Sequence, residues 1–170
     1  MKKIQTPNAK GEVRIIAGLW RGRKLPVLNS EGLRPTGDRV KETLFNWLMP
    51  YIHQSECLDG FAGSGSLGFE ALSRQAKKVI CLELDKIVAN QLKKNLPQNQ
   101  PHFDVVFLDP PFHFNLAEQA ISLLCENNWL KPNALIYVET EKDKPLITPE
   151  NWTLVKEKTT GMVSYRLYQN

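Results

Sequence analysis

The chain has 170 residues, 42% of them hydrophobic and 24% charged, and a formal net charge of +4 at pH 7. This length and composition are typical of one soluble globular domain, large enough for a real core. No apolar run approaches the roughly 18 residues that cross a membrane, and the basic start of the chain lacks the apolar segment of a secretory signal.

The cysteines are odd in number, widely spaced and embedded in apolar sequence: Cys57, Cys81 and Cys125. Disulfide frameworks and metal sites need paired or clustered cysteines, so these three are typical of reduced core positions in a cytoplasmic protein. We therefore expect no disulfide, no metal and a cytoplasmic location.

Basic charge concentrates in the N-terminal third of the chain. Residues 1–50 carry ten Lys and Arg against four Asp and Glu, whereas residues 51–170 carry twelve against fourteen. This excess makes the first third the candidate surface for a polyanionic partner. Charge alone is equally compatible with solvated surface lysines.

After a polar arm over residues 1–12, the pattern predicts a β-hairpin from 13–17 to 24–27. Its turn interleaves an aromatic ring with cations in Trp20-Arg21-Gly22-Arg23-Lys24. Cations reach phosphates and an indole can stack on a base, so we predict an RNA contact here. The alternative is a Trp that packs back onto the domain. The candidate RNA-binding residues are Arg14, Trp20, Arg21, Arg23, Lys24 and Arg34.

A helix is predicted over residues 37–49, with Thr36 as its N-cap and Pro50 at its end. Its apolar stripe consists of Val40, Leu44, Trp47 and Leu48. Three charged residues are expected to face away from that stripe: Arg39, Lys41 and Glu42.

Short apolar strands then alternate with helical segments. The predicted strands lie at 57–58, 79–82, 104–108 and 134–138, the helices at 67–74, 87–96 and 116–124, and a closing antiparallel pair at 152–158 and 163–168. This alternation predicts an α/β fold, a doubly wound, mostly parallel sheet with an antiparallel end. We expect a single domain over 1–170, with the basic arm and hairpin in 1–30 and a Rossmann-like core in 31–170.

A glycine-rich turn follows the first core strand, in Asp59-Gly-Phe-Ala-Gly-Ser-Gly-Ser-Leu-Gly68. Gly63 and Gly65 let the backbone turn tightly, so a ligand can approach the peptide groups and the free N–H groups of the next helix. The segment also satisfies the dinucleotide pattern G-x-G-x-x-G, and Glu83 lies where a carboxylate accepts ribose hydroxyls. A nicotinamide dehydrogenase is therefore one interpretation, and for Glu83 a solvated strand-end acid is another.

The segment Asp109-Pro110-Pro111-Phe112 follows the apolar strand at 104–108. Two prolines fix φ and remove two N–H donors, so the loop presents carbonyl oxygens and one carboxylate. We call residues 109–112 the acceptor loop. Such a loop suits a substrate whose reacting group is an N–H donor, such as the exocyclic amine of a nucleobase. The Asp109 carboxylate and the Pro110 carbonyl would orient the amine, and Phe112 could stack on the base. A Pro-Pro turn that merely ends a strand is the alternative.

The glycine turn together with Asp-Pro-Pro-Phe is similar to the class I S-adenosylmethionine-dependent methyltransferases that act on exocyclic amines. Two N-terminal motifs narrow the resemblance: Arg14-Ile-Ile-Ala-Gly-x-Trp-Arg-Gly-Arg-Lys24 and Leu33-Arg-Pro-Thr-x-Asp-Arg-Val-Lys-Glu-Thr-Leu-Phe-Asn-Trp-Leu48. Over nearly its whole length the chain resembles the RsmD family, bacterial 16S rRNA guanine-N2 methyltransferases.

The resemblance implies S-adenosyl-L-methionine as cofactor, and 16S rRNA in the small ribosomal subunit or its assembly intermediate as substrate. We also expect a monomer that binds no membrane. The implied cofactor-binding residues are Thr36, Asp59, Phe61, Gly63, Gly65, Glu83 and Asp109, with Arg39 beside Thr36. The implied catalytic residues, which hold the guanine, are Asp109, Pro110 and Phe112.

The chain departs from the family at one place. The family has a third strand between the Glu83 unit and the Asp109 strand, and the loop of that strand helps to hold the adenine. Here only residues 97–103 lie between helix and strand, too few for a strand and a crossover of a dozen or more residues. Two explanations remain: the chain has lost this edge strand, or the sequence leaves out a stretch that the protein contains. We expect the second, because a loop that is left out of a compact domain is usually a mobile one.

The sequence therefore predicts a Rossmann-like methyltransferase of guanine N2 in 16S rRNA. A DNA adenine-N6 methyltransferase is the first alternative, because the proline loop serves either amine. The second is a non-catalytic RNA-binding protein that uses the basic hairpin alone. The dehydrogenase is disfavoured, because hydride transfer has no use for an acceptor loop.

Overall fold

The computed structural model describes residues 12–26, 37–82, 94, 96, 100–111 and 115–170. The predicted polar arm, except Glu12, and most of the predicted helix at 87–96 lie outside these residues. In chain order the elements are β1 (Glu12–Arg14), β2 (Lys24–Pro26), α1 (Asp38–Leu48), β3 (Glu56–Asp59), α2 (Ser66–Ser73), β4 (Lys78–Cys81), β5 (Phe103–Leu108), α3 (Leu116–Glu126), β6 (Leu130–Glu141), β7 (Thr153–Thr160) and β8 (Val163–Gln169).

Six strands form one sheet in the order β4-β3-β5-β6-β8-β7. The first four are parallel, and β8 runs antiparallel to both β6 and β7. This arrangement confirms the predicted mostly parallel sheet with an antiparallel end. Strands β1 and β2 pair separately as the predicted antiparallel hairpin.

The central strands are buried on both faces, which explains their continuous apolar runs. Alternate side chains serve two core clusters. One cluster packs against α3 and includes Val106, Ile136 and Trp129. The other packs against α1 and α2 and includes Phe45 and Tyr137. Helices on both faces make the fold doubly wound.

The chain changes direction across the sheet between β3 and β5. It passes from β3 to β4 on one side and returns to place β5 on the other side of β3. Ligands of open α/β sheets bind at such a switch point, outside the carboxyl ends of the strands. Asp59 is level with Phe107, and Gly60 N donates to Phe107 O at 3.0 Å. The glycine turn and the Asp109 loop therefore begin side by side at this edge.

Within the described ranges, β4 forms one edge of the sheet and β7 the other. The doubly wound strand order 3-2-1-4 places a further strand outside the second one, at the position beyond β4. The described part of the chain puts no strand there, and most of the residues between β4 and β5 lie outside the described ranges.

Helix α1 confirms the predicted helix but not its predicted start. Its N-cap is Gly37, in extended conformation with no side-chain cap, so the prediction of Thr36 as N-cap is wrong. Asp38 in the first turn provides the negative charge that a helix N-terminus favours. Lys41 is fully buried, contrary to its predicted outward orientation. None of the helices in the described residues is long and apolar enough to span a membrane.

Candidate functional site

The glycine turn connects β3 to α2 through left-handed backbone. Gly63 has φ 52°, and Gly65, the N-cap of α2, has φ 79°. A Cβ at Gly65 would lie 2.7 Å from the Phe69 ring, so both the positive φ and this contact disfavour a side chain at this position. Ala62 N donates to Leu82 O at 2.8 Å and fixes the turn to the end of β4.

Asp59 lies beneath this turn, with 1% of its surface exposed. Its Oδ2 accepts a hydrogen bond from Gly68 N at 3.1 Å, which joins the end of β3 to the first turns of α2. A Cβ on Gly68 would lie 2.7 Å from Cys81 Sγ and 3.4 Å from that carboxylate oxygen. The described contact of the carboxylate is therefore with the backbone of the turn, which it holds in shape. The resemblance implies that Asp59 also binds the cofactor.

The turn also contains a buried polar atom that fits a polar ligand. Ser66 Oγ is inaccessible to solvent and has no hydrogen-bond partner among the residues that the structure describes. A buried hydroxyl without a partner is costly unless a ligand satisfies it. The residues present at the turn thus fit the polar part of a cofactor.

The acceptor loop starts one strand away. Asp109 is half-buried, Pro110 is buried and Pro111 is exposed. An open cleft lies beside the two prolines. The other lining residues come from the start of α3, the end of β6 and the segment after it: Asn115, Leu116, Ala117, Glu118, Glu139, Thr140, Glu141, Lys144, Pro145 and Leu146.

Glu139 is a site residue that the sequence analysis missed. It follows the buried run of β6, beside Asp109, and Tyr137 Oη donates to its Oε2 at 2.9 Å. Burial raises the pKa of Glu139 to about 8, and the charge of Asp109 and a hydrogen bond with that side chain add to the rise. The available signal was an acid at the end of an apolar strand, the same signal that singled out Asp109.

The hairpin is attached to the core by buried polar side chains. Glu70 is fully buried and accepts hydrogen bonds from Ile16 N at 3.0 Å and Ala17 N at 3.2 Å. Ser73 Oγ accepts from Trp20 N at 3.0 Å. The buried Lys41 Nζ donates to Arg14 O at 2.7 Å, and burial lowers its pKa while the nearby Glu70 opposes that change. The hairpin therefore has a fixed position on α1 and α2.

The predicted RNA-binding side chains mostly point to solvent from this hairpin. Arg14, Arg21 and Arg23 are exposed, and Trp20 is half-buried. Lys24 is exposed and pairs with Glu12 at 3.0 Å. The backbone of the hairpin contacts Glu70 and Ser73, in the second half of α2. These residues lie roughly 6–11 Å along the helix from its start at the glycine turn.

Several predicted site residues lie outside the described part of the chain: Arg34, Thr36, Glu83 and Phe112. Phe61 is half-buried and lies in the turn itself, and Arg39 is exposed near the start of α1. The structure thus brings together Asp59, Phe61, Gly63 and Gly65 at one strand end and Asp109 with Pro110 at the next. Among the described residues no three His, Cys, Asp or Glu side chains are placed to hold a metal ion.

A glycine turn and an acceptor loop at the switch point of a doubly wound sheet define a Rossmann-like methyltransferase fold. The same fold is found in the Thermus thermophilus 16S rRNA N2 G1207 methyltransferase RsmC, which superposes with a TM-score of 0.62 at 18% identity over 94% of this chain and 49% of that one. The chain belongs to the family described as Conserved hypothetical protein 95, whose model matches residues 13–100 and 96–169.

Close relatives support this membership and the predicted RsmD resemblance. The chain is 86% identical to the ribosomal RNA small subunit methyltransferase D of Haemophilus influenzae, over 100% of both chains. It is also similar to the crystal structure of HI0767 from Haemophilus influenzae, with 78% identity and a TM-score of 0.76 over 94% of this chain and 99% of that one.

The comparison also locates a gap in the alignment of this chain with its relatives. The alignment with the 86% identical relative has 193 positions, against 170 residues here, a difference of 23. The two family matches meet at residues 96–100. The positions of the relative that have no counterpart in this sequence therefore fall where the sequence departs from the family, between β4 and β5.

Proposed function

We propose that this chain is an S-adenosylmethionine-dependent methyltransferase that methylates the exocyclic N2 of a guanine in 16S rRNA. The observation that carries the proposal is the placement of the glycine turn and the Asp109 loop on neighbouring strand ends. The name of the 86% identical relative supports small-subunit rRNA as the substrate.

The acceptor loop orients the nucleophile. The lone pair of the guanine amine is delocalised into the ring, so the amine is a poor nucleophile until its geometry changes. Hydrogen bonds from the amine to the Asp109 carboxylate and the Pro110 carbonyl fix its direction and favour a pyramidal nitrogen. Alignment of this kind supplies much of the rate when the reacting partner is already activated.

The glycine turn holds the cofactor. S-adenosylmethionine supplies a methyl group on a positively charged sulfur atom. The left-handed turn at Gly63 and Gly65 lets the cofactor approach the backbone, and Ser66 Oγ offers a polar contact. Glu83 takes the ribose, and Thr36 with Arg39 contacts the carboxylate.

The hairpin binds the RNA around the target base. The exposed arginines of its turn contact phosphates, while the base itself is extruded into the cleft beside Asp109. The substrate is the small subunit or its assembly intermediate, and the enzyme works as a cytoplasmic monomer.

Transfer of labelled methyl groups tests this function. The protein is incubated with methyl-labelled S-adenosylmethionine and, separately, with undermethylated 30S particles, naked 16S rRNA and duplex DNA. We expect N2-methylguanosine after digestion of the RNA. Preferential labelling of DNA would instead overturn the RNA assignment and favour the adenine-N6 alternative, and failure to bind the cofactor by calorimetry would support a non-catalytic RNA-binding protein.

A further inference from the structure

Glu139 is placed to act on the same base as Asp109. Strands β5 and β6 are parallel, and their last paired residues are Leu108 and Val138. Asp109 and Glu139 follow these residues at the same level of the sheet, and their side chains share a hydrogen bond. Two carboxyl groups therefore stand together at the edge where the proposed function places the target amine.

The surroundings of Glu139 hold it in position. Tyr137, on the same strand, is fully buried and donates its hydroxyl to Glu139 Oε2 at 2.9 Å. On the neighbouring strand β8, the buried Tyr165 lies opposite Glu139. The charged side chains that line the adjoining cleft from α3, β6 and the segment after β6 are Glu118, Glu141 and Lys144.

Guanine and adenine present different hydrogen-bonding groups to such a pair. The Watson–Crick edge of guanine has two adjacent donors, the N1–H and the N2 amine. Adenine has one donor, the N6 amine, next to the acceptor N1. A site with two adjacent acceptors matches guanine, and it leaves an acceptor facing the acceptor N1 of adenine. Sites that pair buried polar groups with a substrate donor discriminate strongly against analogues that lack the donor.

We propose that Glu139 determines base specificity: its carboxylate accepts the guanine N1–H, while Asp109 and the Pro110 carbonyl accept the N2 amine. This assignment rests on the proposed function, because it concerns the same site and the same base. It gives the enzyme a reason to select guanine that the Asp-Pro-Pro-Phe loop alone does not provide, since that loop serves any exocyclic amine.

Proton release accompanies this recognition. In the free protein the two carboxyl groups share a proton, because burial and the charge of Asp109 raise the pKa of Glu139 to about 8. Two donors of a bound guanine take the place of that proton, so binding needs Glu139 ionised. The affinity for guanine should therefore rise as the pH rises toward 8.

Nucleoside binding tests the assignment. The probes are guanosine and 2-aminopurine riboside, which keeps the 2-amine but has an unprotonated N1. Calorimetry with the full chain saturated with S-adenosylhomocysteine should show at least about a tenfold preference for guanosine, the value of one charge-assisted hydrogen bond. Glu139→Ala should lose most of this preference, whereas Glu126→Ala removes an equal charge at the far end of α3 and should retain it.

A pH series gives a second readout that does not depend on nucleoside affinity. The kcat/KM for 30S methylation should rise between pH 6 and 8 in the native protein and stay flat in Glu139→Gln, which keeps the shape of the side chain without its titration. The assignment is overturned if Glu139→Ala keeps the guanosine preference, or if the native protein shows none. Methylation of 30S particles by the native protein does not depend on either outcome, so it tests the proposed function independently of the role of Glu139.

Discussion

At the scale of single residues, the site depends on carboxyl groups held in unusual surroundings. Asp59 is buried beneath the glycine turn and bonded to backbone, whereas Asp109 and Glu139 share a hydrogen bond at the sheet edge. The surroundings of these carboxyl groups thus differ, because their burial and hydrogen-bond partners differ.

The pKa of Glu139 makes stability depend on pH. Its folded-state pKa of about 8 lies above the ordinary 4.5, so the folded protein binds a proton that the unfolded chain has released. Stability from this group is present at low pH and is lost as the pH rises from about 4.5 through 8. Urea unfolding should therefore show Glu139→Gln gaining stability relative to the native protein between pH 5 and pH 8.5. A constant difference across that range would contradict the assigned pKa.

Residue-scale features were the hardest to predict from sequence. Lys41 and Glu70 are charged, and their sequence neighbours gave no sign that they are buried with backbone partners. Those partners lie in the hairpin, 27 to 54 positions earlier in the chain, and tertiary contacts of this kind leave no local pattern. Glu139 did carry a local signal, an acid at the end of an apolar strand, but its pairing with Asp109 on the next strand was not visible in the sequence.

At the scale of elements, the hairpin depends on a close approach to α2. Gly18 has φ 89°, and a Cβ there would lie 2.1 Å from Ser73 O. Gly22 has a similar φ of 83°, but a Cβ there would meet nothing within 4 Å. The two glycines therefore form a matched pair that separates backbone strain from steric clash.

We expect Gly18→Ala to lower the free energy of unfolding by several kcal/mol and Gly22→Ala by about 1–2 kcal/mol, the cost of strain alone. Chemical denaturation of both variants measures the difference. Equal losses would mean that the hairpin does not pack against Ser73 as described.

The hairpin arginines should carry the electrostatic part of RNA binding. Replacing both Arg21 and Arg23 with Ala should weaken RNA binding and reduce the slope of log affinity against log salt by about 1.5, or about 0.7 for each phosphate contact. The control replaces the exposed Lys156 and Lys158 of β7, which removes the same charge elsewhere. An unchanged slope in the arginine variant would exclude the hairpin as the RNA contact.

Most elements were predictable because glycine and proline mark their ends and apolar runs mark the buried strands. The helix start at Asp38 was misassigned, since Thr36 is a favourable N-cap residue by type while Gly37 takes the position by conformation. The length of β6 was underestimated as well. It begins at Leu130 and contains Pro132, which local propensity excludes from a strand.

At the scale of the whole molecule, strand order brings the two motifs together at one edge of the sheet. Relative to the Haemophilus influenzae protein, 23 positions are missing beside the β4 unit. The RsmD resemblance assigns the adenine contact to that region. The difference therefore falls in the region to which the resemblance assigns the adenine contact, outside the glycine turn and the segment that begins at Asp109.

The central claim is that Asp109 orients the amine that receives the methyl group. Single-turnover methylation of 30S particles by the native protein and by Asp109→Asn, with the cofactor affinity of each measured in parallel, tests it most directly. The account predicts a fall in rate of about a hundredfold or more with cofactor affinity within a few-fold of native. A native rate in Asp109→Asn, or a loss explained entirely by weaker cofactor binding, would contradict it.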